Sequence, residues 1–73
     1  MNREAVRSTN IRSIGWEKNI LEIEFLSGEI YQCIGVPHEI WEGFQSAESK
    51  GKFFYGVIRG QYRVERLFQK VEE

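Results

Sequence analysis

The sequence predicts an α+β fold, a small antiparallel β-sheet with two short helices packed on one of its faces. Apolar and polar residues alternate along several short runs that end in turn-forming residues, which is the pattern of half-buried strands. After the third run the apolar residues recur every three or four positions, which is typical of an amphipathic helix. A fourth alternating run follows. We therefore expect a three-stranded meander, two inserted helices, and a C-terminal strand that returns to the sheet.

The chain has 73 residues, of which 41% are hydrophobic and 29% are charged. This length allows one small domain over residues 1–73, and the composition excludes a disordered chain. One cysteine cannot form an internal disulfide, and no apolar run reaches the roughly 20 residues of a membrane span. We expect a soluble cytoplasmic domain with its core over about residues 6–68, a mobile N-terminus over 1–5 and a C-terminal tail over 69–73.

Three strands are predicted in the first half of the chain, over residues 11–17, 20–26 and 29–36. The polar pair Lys18-Asn19 separates the first two, and Ser27-Gly28 separates the second from the third. The middle strand has the clearest alternation, with apolar side chains on one face and glutamates on the other. These runs predict two consecutive hairpins.

The register of the second hairpin depends on its turn. A three-residue loop with Gly28 in the left-handed conformation pairs Ile23 with Tyr31 and Leu21 with Cys33, which gathers the apolar side chains on one face. A two-residue turn would divide them between both faces, so we favour the longer loop. Three isoleucines then lie on the opposite face and become candidates for a protein interface: Ile20, Ile30 and Ile34.

Two helices are predicted in the second half of the chain. Pro37 suits the first turn of a helix that runs to about Ala47. Its apolar stripe consists of Ile40, Trp41, Phe44 and Ala47. Ser49 is positioned to cap a second helix over residues 52–59, and residues 62–67 alternate as the returning strand.

No catalytic or metal-binding motif is complete. His38 is the only histidine and Cys33 the only cysteine, so a four-ligand zinc site cannot be built from them. We expect His38 to be a solvent-facing residue in the first turn of its helix, and Cys33 to be a small buried residue. Gly51-Lys52 lacks the preceding glycine and the following Ser or Thr of a phosphate loop. The sequence therefore predicts a binding protein without cofactor or metal, not an enzyme.

The net charge of −1 hides a basic C-terminal segment. Residues 49–70 carry six basic residues against Glu65 alone, a local charge of +5. Free backbone N–H groups and lysines meet where the second helix begins, which favours a phosphate or carboxylate. The predicted phosphate or RNA-binding residues are Ser49, Lys50, Gly51, Lys52, Arg59, Arg63 and Arg66. Phe53 and Tyr55 are the candidates for stacking on bases.

Each feature also has a purely structural interpretation: Ser49 as a helix cap, the lysines as solubilising charges, and the two rings as core. Three functional hypotheses follow. The first is a small RNA-binding module, and the second is a protein-interaction or self-association module that uses the isoleucines and the open sheet edges. The third is a protein that binds a small nucleotide or another anionic metabolite.

An ordered series of residues, spread over residues 6–67, resembles the KTSC domain. The series is Val6-x-Ser8-Thr9-x-Ile11, Ile14-Gly15-Trp16, Leu21-x-Ile23-x-Phe25-x-x-Gly28, Tyr31-x-Cys33-x-x-Val36-Pro37, Ala47-x-Ser49-Lys50-Gly51-x-x-Phe54, Ile58-Arg59 and Tyr62. This domain takes its name from the C-terminus of some lysyl-tRNA synthetases and also occurs alone in bacterial and phage proteins. The resemblance implies the stand-alone form, and RNA is the ligand suggested for the family.

Two positions depart from the family pattern. The third strand of the family tends to carry Tyr-x-Tyr, and here the second tyrosine is replaced by Cys33. Trp16 stands where a tyrosine is usual. Because the favoured register turns Tyr31 and Cys33 inward, we interpret both as core residues.

Overall fold

The computed structural model describes residues 1–68. In chain order the elements are β1 (Glu4–Ala5), β2 (Ile11–Glu17), β3 (Ile20–Phe25), β4 (Ile30–Ile34), α1 (His38–Ser46), α2 (Lys50–Phe53), a π-helical segment that continues α2 (Phe54–Ile58), and β5 (Arg63–Phe68). The strands form one antiparallel sheet in the order β1-β2-β3-β4-β5. The predicted α+β fold, with both helices inserted before the returning strand, is confirmed. The predicted tail over 69–73 lies outside the described residues, and within residues 1–68 no helix is long and apolar enough to cross a membrane.

Both predicted hairpins are present, and their turns have the backbone conformations that tight hairpins require. Lys18 and Asn19 have φ values of 50° and 65°, and Gly28 has a φ of 97°. Positive φ at these positions matches the twist of the flanking strands. Ile23 lies opposite Tyr31 in the second hairpin, so the predicted register is confirmed.

The core lies between the helices and one face of the sheet, which we call the inner face. Its buried hydrophobic residues are Ile11, Ile14, Leu21, Ile23, Cys33, Val36, Phe44, Phe54 and Ile58. Phe44 from α1 is fully buried, and its ring lies 5.6 Å from that of Phe53. Gly43 admits this packing, because a Cβ at that position would come within 3.1 Å of the Phe53 ring. The helices therefore cover the inner face through aromatic side chains.

The N-terminal segment, predicted to be mobile over residues 1–5, instead contributes a strand. Glu4 and Ala5 pair with Ile14 and Ser13 of β2. Gly15 permits this close approach, since a Cβ there would lie 2.5 Å from the carbonyl oxygen of Asn2. Two residues carry no detectable alternation, which is why sequence patterns do not reveal β1.

Arg3 anchors this segment on the opposite face of the sheet, which we call the outer face. Its guanidinium forms an ion pair with Glu22, and its Nε donates a hydrogen bond of 3.1 Å to the Ser13 hydroxyl. Gln32 donates a second hydrogen bond of 3.0 Å to Glu22, whose side chain is only 10% exposed. A nearly buried carboxylate is therefore satisfied by groups from β4 and from the segment before β1.

Candidate nucleic-acid interface

A groove of about 620 Å³ opens where the segment before β2, the β3–β4 hairpin and β5 meet the π-helical segment. We call it the aromatic groove, because five rings line it: Phe25, Tyr31, Phe54, Tyr55 and Tyr62. Phe25 stacks edge-on against Tyr31 and against Phe54, with ring centroids 5.5 and 5.6 Å apart. Since Phe54 is buried, this cluster joins the groove to the core. The groove therefore has an apolar side that is continuous with the core.

Tyr55 and Arg59 form the exposed wall of the groove. Tyr55 is 53% exposed, and its ring stands edge-on to that of Phe54 with centroids 5.2 Å apart. The Arg59 guanidinium lies 5.4 Å from the centroid of the Tyr55 ring, within the range of a cation–π contact. A planar ligand entering the groove would meet an aromatic face and a positive charge together.

A polar cluster lies at the β4 side of the groove. The Tyr31 hydroxyl donates a hydrogen bond of 3.0 Å to Glu29 Oε2, and a guanidinium nitrogen of Arg66 lies 3.7 Å from the same oxygen. Burial raises the pKa of Tyr31, and the hydrogen bond to Glu29 adds to this effect, so the hydroxyl stays protonated. This arrangement places hydrogen-bonding groups at the rim of an otherwise aromatic surface. It also shows that Tyr31, interpreted as core, lines the groove with its hydroxyl.

The start of α2 lies beside the groove, in a shallow depression lined by residues that include Ser49, Gly51 and Lys52. The Ser49 hydroxyl accepts a hydrogen bond of 3.2 Å from the backbone N–H of Lys52, so the predicted helix cap is confirmed. The depression and the aromatic groove share Thr9, Asn10 and Tyr55. The Ser49–Lys52 segment and the exposed wall of the groove are therefore parts of one surface.

Two predicted site residues have other contacts. The Lys50 ammonium donates hydrogen bonds of 2.9 and 2.8 Å to the carbonyl oxygens of Gln45 and Ala47. It therefore caps the C-terminal end of α1. The Phe53 ring packs on Phe44 and Gly43, as described above. Because these contacts occupy both side chains, we remove Lys50 from the predicted phosphate site and Phe53 from the predicted stacking pair.

Arg63 lies on the outer face, away from the groove. It sits opposite Ile34 in the β4–β5 pairing, and its Nε is 3.2 Å from the carboxylate of Glu65. Within residues 1–68, the basic residues of the segment 49–70 are thus divided between the two faces of the sheet, because side chains alternate along a strand. Of the predicted arginines, Arg59 and Arg66 remain beside the groove.

The three candidate interface isoleucines do not form one apolar patch. Ile20 and Ile34 lie opposite each other at one end of the outer face. Ile30 lies towards the other end, and the row that pairs Glu22 with Gln32 separates it from them. The outer face is therefore polar at its centre, and the predicted isoleucine interface has no continuous apolar surface to support it.

His38 and Cys33 occupy the positions predicted for them. The imidazole of His38 is exposed, with Nδ1 at 2.9 Å from the carboxylate of Glu42. Cys33 is fully buried opposite Val64. Within residues 1–68, no group of three or more His, Cys, Asp or Glu side chains is arranged to hold a metal ion.

Cys33 is expected to resist alkylation and disulfide exchange in the folded protein. Burial raises the pKa of its thiol to about 11, so the thiolate fraction at pH 8 falls about 100-fold below that of an ordinary cysteine. A raised pKa in the folded state also means that the thiol contributes stability below about pH 9, which is lost as the pH rises towards 11. Reaction with Ellman's reagent should be at least about 100-fold slower in buffer than in concentrated urea. Equal rates in the two conditions would contradict the burial of this side chain.

Sequence reasoning missed most of the groove. The sequence pattern marks Phe25, Tyr31 and Tyr62 only as core or strand residues. It does not mark Glu29 or Asn10 at all. The available signal is the family's Tyr-x-Tyr pattern in the third strand, of which this chain keeps Tyr31; the pattern marks the residue without indicating its role. The remaining lining residues come together only when the hairpins and helices pack.

The fold is that of a small α+β domain, in which an antiparallel sheet carries helices on one face. A family model described as the KTSC domain matches residues 7–62, and the chain belongs to this family. The resemblance found in the sequence is thereby confirmed.

Two proteins of known sequence and one of known structure illustrate what this chain is similar to. The chain is 40% identical over 70 residues to an uncharacterised protein of Stutzerimonas stutzeri, with 92% of this chain and 99% of that protein covered. It is 43% identical over 47 residues to a lysine–tRNA ligase of Nostoc, which covers 64% of this chain but 8% of the ligase. The crystal structure of a KTSC domain protein from Yersinia pestis superimposes with a TM-score of 0.87 at 42% identity, covering 92% of this chain and 97% of that one.

Proposed function

We propose that this KTSC domain is a non-catalytic module that binds single-stranded RNA, with bases stacked in the aromatic groove. The observation that carries the proposal is the exposed Tyr55 ring, which lies beside the groove under the Arg59 guanidinium. Base stacking on exposed aromatic rings, with arginine nearby, is how proteins commonly hold unpaired nucleotides.

The size and polarity of the groove support a nucleotide ligand. Its volume of about 620 Å³ lies within the range of about 300–1,000 Å³ in which proteins bind small molecules. Glu29 at the rim is suited to accept hydrogen bonds from the amino groups of a base, whose edge is free in a single strand. Lys52, Arg59 and Arg66 surround the groove and the adjoining depression, where they can meet phosphates.

The relationship to lysine–tRNA ligases favours RNA among anionic ligands. By their name these enzymes act on tRNA, and the matched stretch is 8% of the Nostoc ligase. A segment this small serves binding more readily than chemistry. The relationship supports RNA over a free metabolite without excluding a small nucleotide, which the experiment below separates.

Binding is tested by fluorescence anisotropy with labelled single-stranded RNA of about ten nucleotides, a length within the usual site size of small modules. Three basic residues near the ligand predict a slope of about −2 for the logarithm of the affinity against the logarithm of salt concentration. Tyr55→Ala should weaken binding about 5- to 100-fold, since it removes one stacking surface. Tyr55→Phe should retain most of the affinity because it keeps the ring.

Arg59→Ala and Arg12→Ala form a matched pair, since both residues are exposed but Arg12 lies beside the outer face. Only Arg59→Ala should weaken binding and reduce the salt slope, by about one unit. Absence of RNA binding, or equal affinities for Tyr55→Ala and the unaltered protein, would contradict the proposal. Saturable binding of a mononucleotide, with no gain from longer RNA, would replace it with the small-nucleotide alternative.

A further inference from the structure

β5 forms a long edge of the sheet. It pairs with β4 along one side, and within residues 1–68 no strand pairs with its other side. The opposite edge of the sheet is the two-residue β1, so β5, with six residues, is the edge that offers a template for another strand. An added strand needs a side-chain pattern that matches the one on β5.

The side chains of β5 alternate between the two faces in a defined way. Arg63 and Glu65 lie on the outer face, opposite Ile34 and Gln32 of β4. Val64 lies on the inner face, packed against the core. The Arg63 and Glu65 side chains are 77% and 48% exposed, and they contact each other at 3.2 Å. The edge therefore shows one positive and one negative charge, two residues apart on the same face.

We infer that β5 pairs with β5 of a second copy of this chain, antiparallel and with Val64 opposite the partner's Val64. In this register Arg63 lies opposite the partner's Glu65, and the same contact occurs again by symmetry. Directly opposite residues of antiparallel strands share a face, so both ion pairs form on the outer face. The two sheets then join into one continuous sheet of ten strands.

The charges distinguish this register from its neighbours. A shift that places Glu65 opposite the partner's Glu65, or Arg63 opposite the partner's Arg63, brings like charges together, which is unfavourable. A shift by a single residue would set the inner face of one sheet against the outer face of the other. The sequence Arg63-Val64-Glu65 is thus self-complementary in one alignment only.

The same alignment places Tyr62 opposite the partner's Arg66. Tyr62 lines the aromatic groove, so dimerisation would set the two grooves side by side with an added guanidinium at each. Dimerisation is measured on protein free of nucleic acid, so the experiment below does not depend on RNA binding. If no dimer forms, the proposed RNA binding is unaffected.

The experiment measures dimerisation by sedimentation velocity of the full chain over a wide range of protein concentrations. Arg63→Glu and Glu65→Arg should each weaken dimerisation about tenfold or more, because each places like charges opposite one another twice. The double variant Arg63→Glu/Glu65→Arg restores opposite charges with the positions exchanged, and it should recover affinity to within about threefold. Circular dichroism of each variant verifies that the exposed substitutions leave the fold intact.

Two results would overturn the inference. One is a protein that remains monomeric up to about millimolar concentration, where even weak edge pairing should be visible. The other is a dimer that both single variants leave unchanged, or that the double variant fails to restore. Such a dimer would use a different surface.

Discussion

Phe44→Ala is expected to remove about half of the free energy of unfolding of the protein. Phe44 is fully buried at the centre of the core, and its truncation removes apolar contacts and leaves a cavity. Such changes destabilise proteins by about 3–5 kcal/mol. A chain of this length has a total stability of about 5–10 kcal/mol, so about half of it is lost. Urea unfolding followed by tryptophan fluorescence measures the loss directly.

Tyr55→Ala is the matched control for that variant, since it also truncates an aromatic ring, here on the π-helical segment instead of α1. Tyr55 is 53% exposed, so its loss should lower the free energy of unfolding by less than about 1 kcal/mol. The comparison also shows whether a loss of RNA binding in Tyr55→Ala reflects the groove or the fold. Similar stabilities for Phe44→Ala and Tyr55→Ala would contradict the placement of the core.

Arg3→Met should destabilise the protein by about 2 kcal/mol, although the residue lies close to the N-terminus. The substitution leaves the Glu22 carboxylate, with a side chain only 10% exposed, without its ion-pair partner. Unpairing a fully buried ion costs more, but the Arg3 side chain is 25% exposed, so water can partly replace it. A loss of this size lowers the melting temperature by about 8–16 °C. Differential scanning calorimetry provides the measurement.

Arg12→Met serves as the control, because Arg12 is an exposed arginine on the adjoining strand. Its effect should stay within about 0.5 kcal/mol. The double variant Arg3→Met/Glu22→Met should be more stable than Arg3→Met alone, since no unpaired carboxylate remains buried. If Arg3→Met and Arg12→Met have the same melting temperature, the N-terminal segment does not contribute to stability through Glu22.

The register of the sheet was predictable because local and long-range requirements agree there. A slip by one residue would move Leu21 and Ile23 to the outer face, so burial strongly selects the observed pairing. Gly28 adds a turn that fits the same pairing. The Ser49 cap was also predictable, since it depends on a hydrogen bond to a residue only three positions away.

Two residues of the predicted site have surroundings that the sequence does not indicate, for a shared reason. The sequence places Lys50 at a phosphate site, yet its long side chain turns back to carbonyl groups of α1. Arg63 belongs to the same basic segment but lies on the other face of the sheet. The order of charged residues in the sequence does not predict where their side chains point. That direction depends on the strand register and on nearby hydrogen-bond acceptors.

Periodicity and residue types are enough to predict the fold class and the hairpin register, and they show that no catalytic motif is complete. In contrast, β1 and the aromatic groove become visible only once the chain is folded. β1 is too short for periodicity, and it is held by an ion pair between Arg3 and Glu22. The groove joins Phe25, Tyr31 and Tyr55 from three separate elements. Such a surface forms where distant segments pack together, and no local pattern records which side chains will meet there.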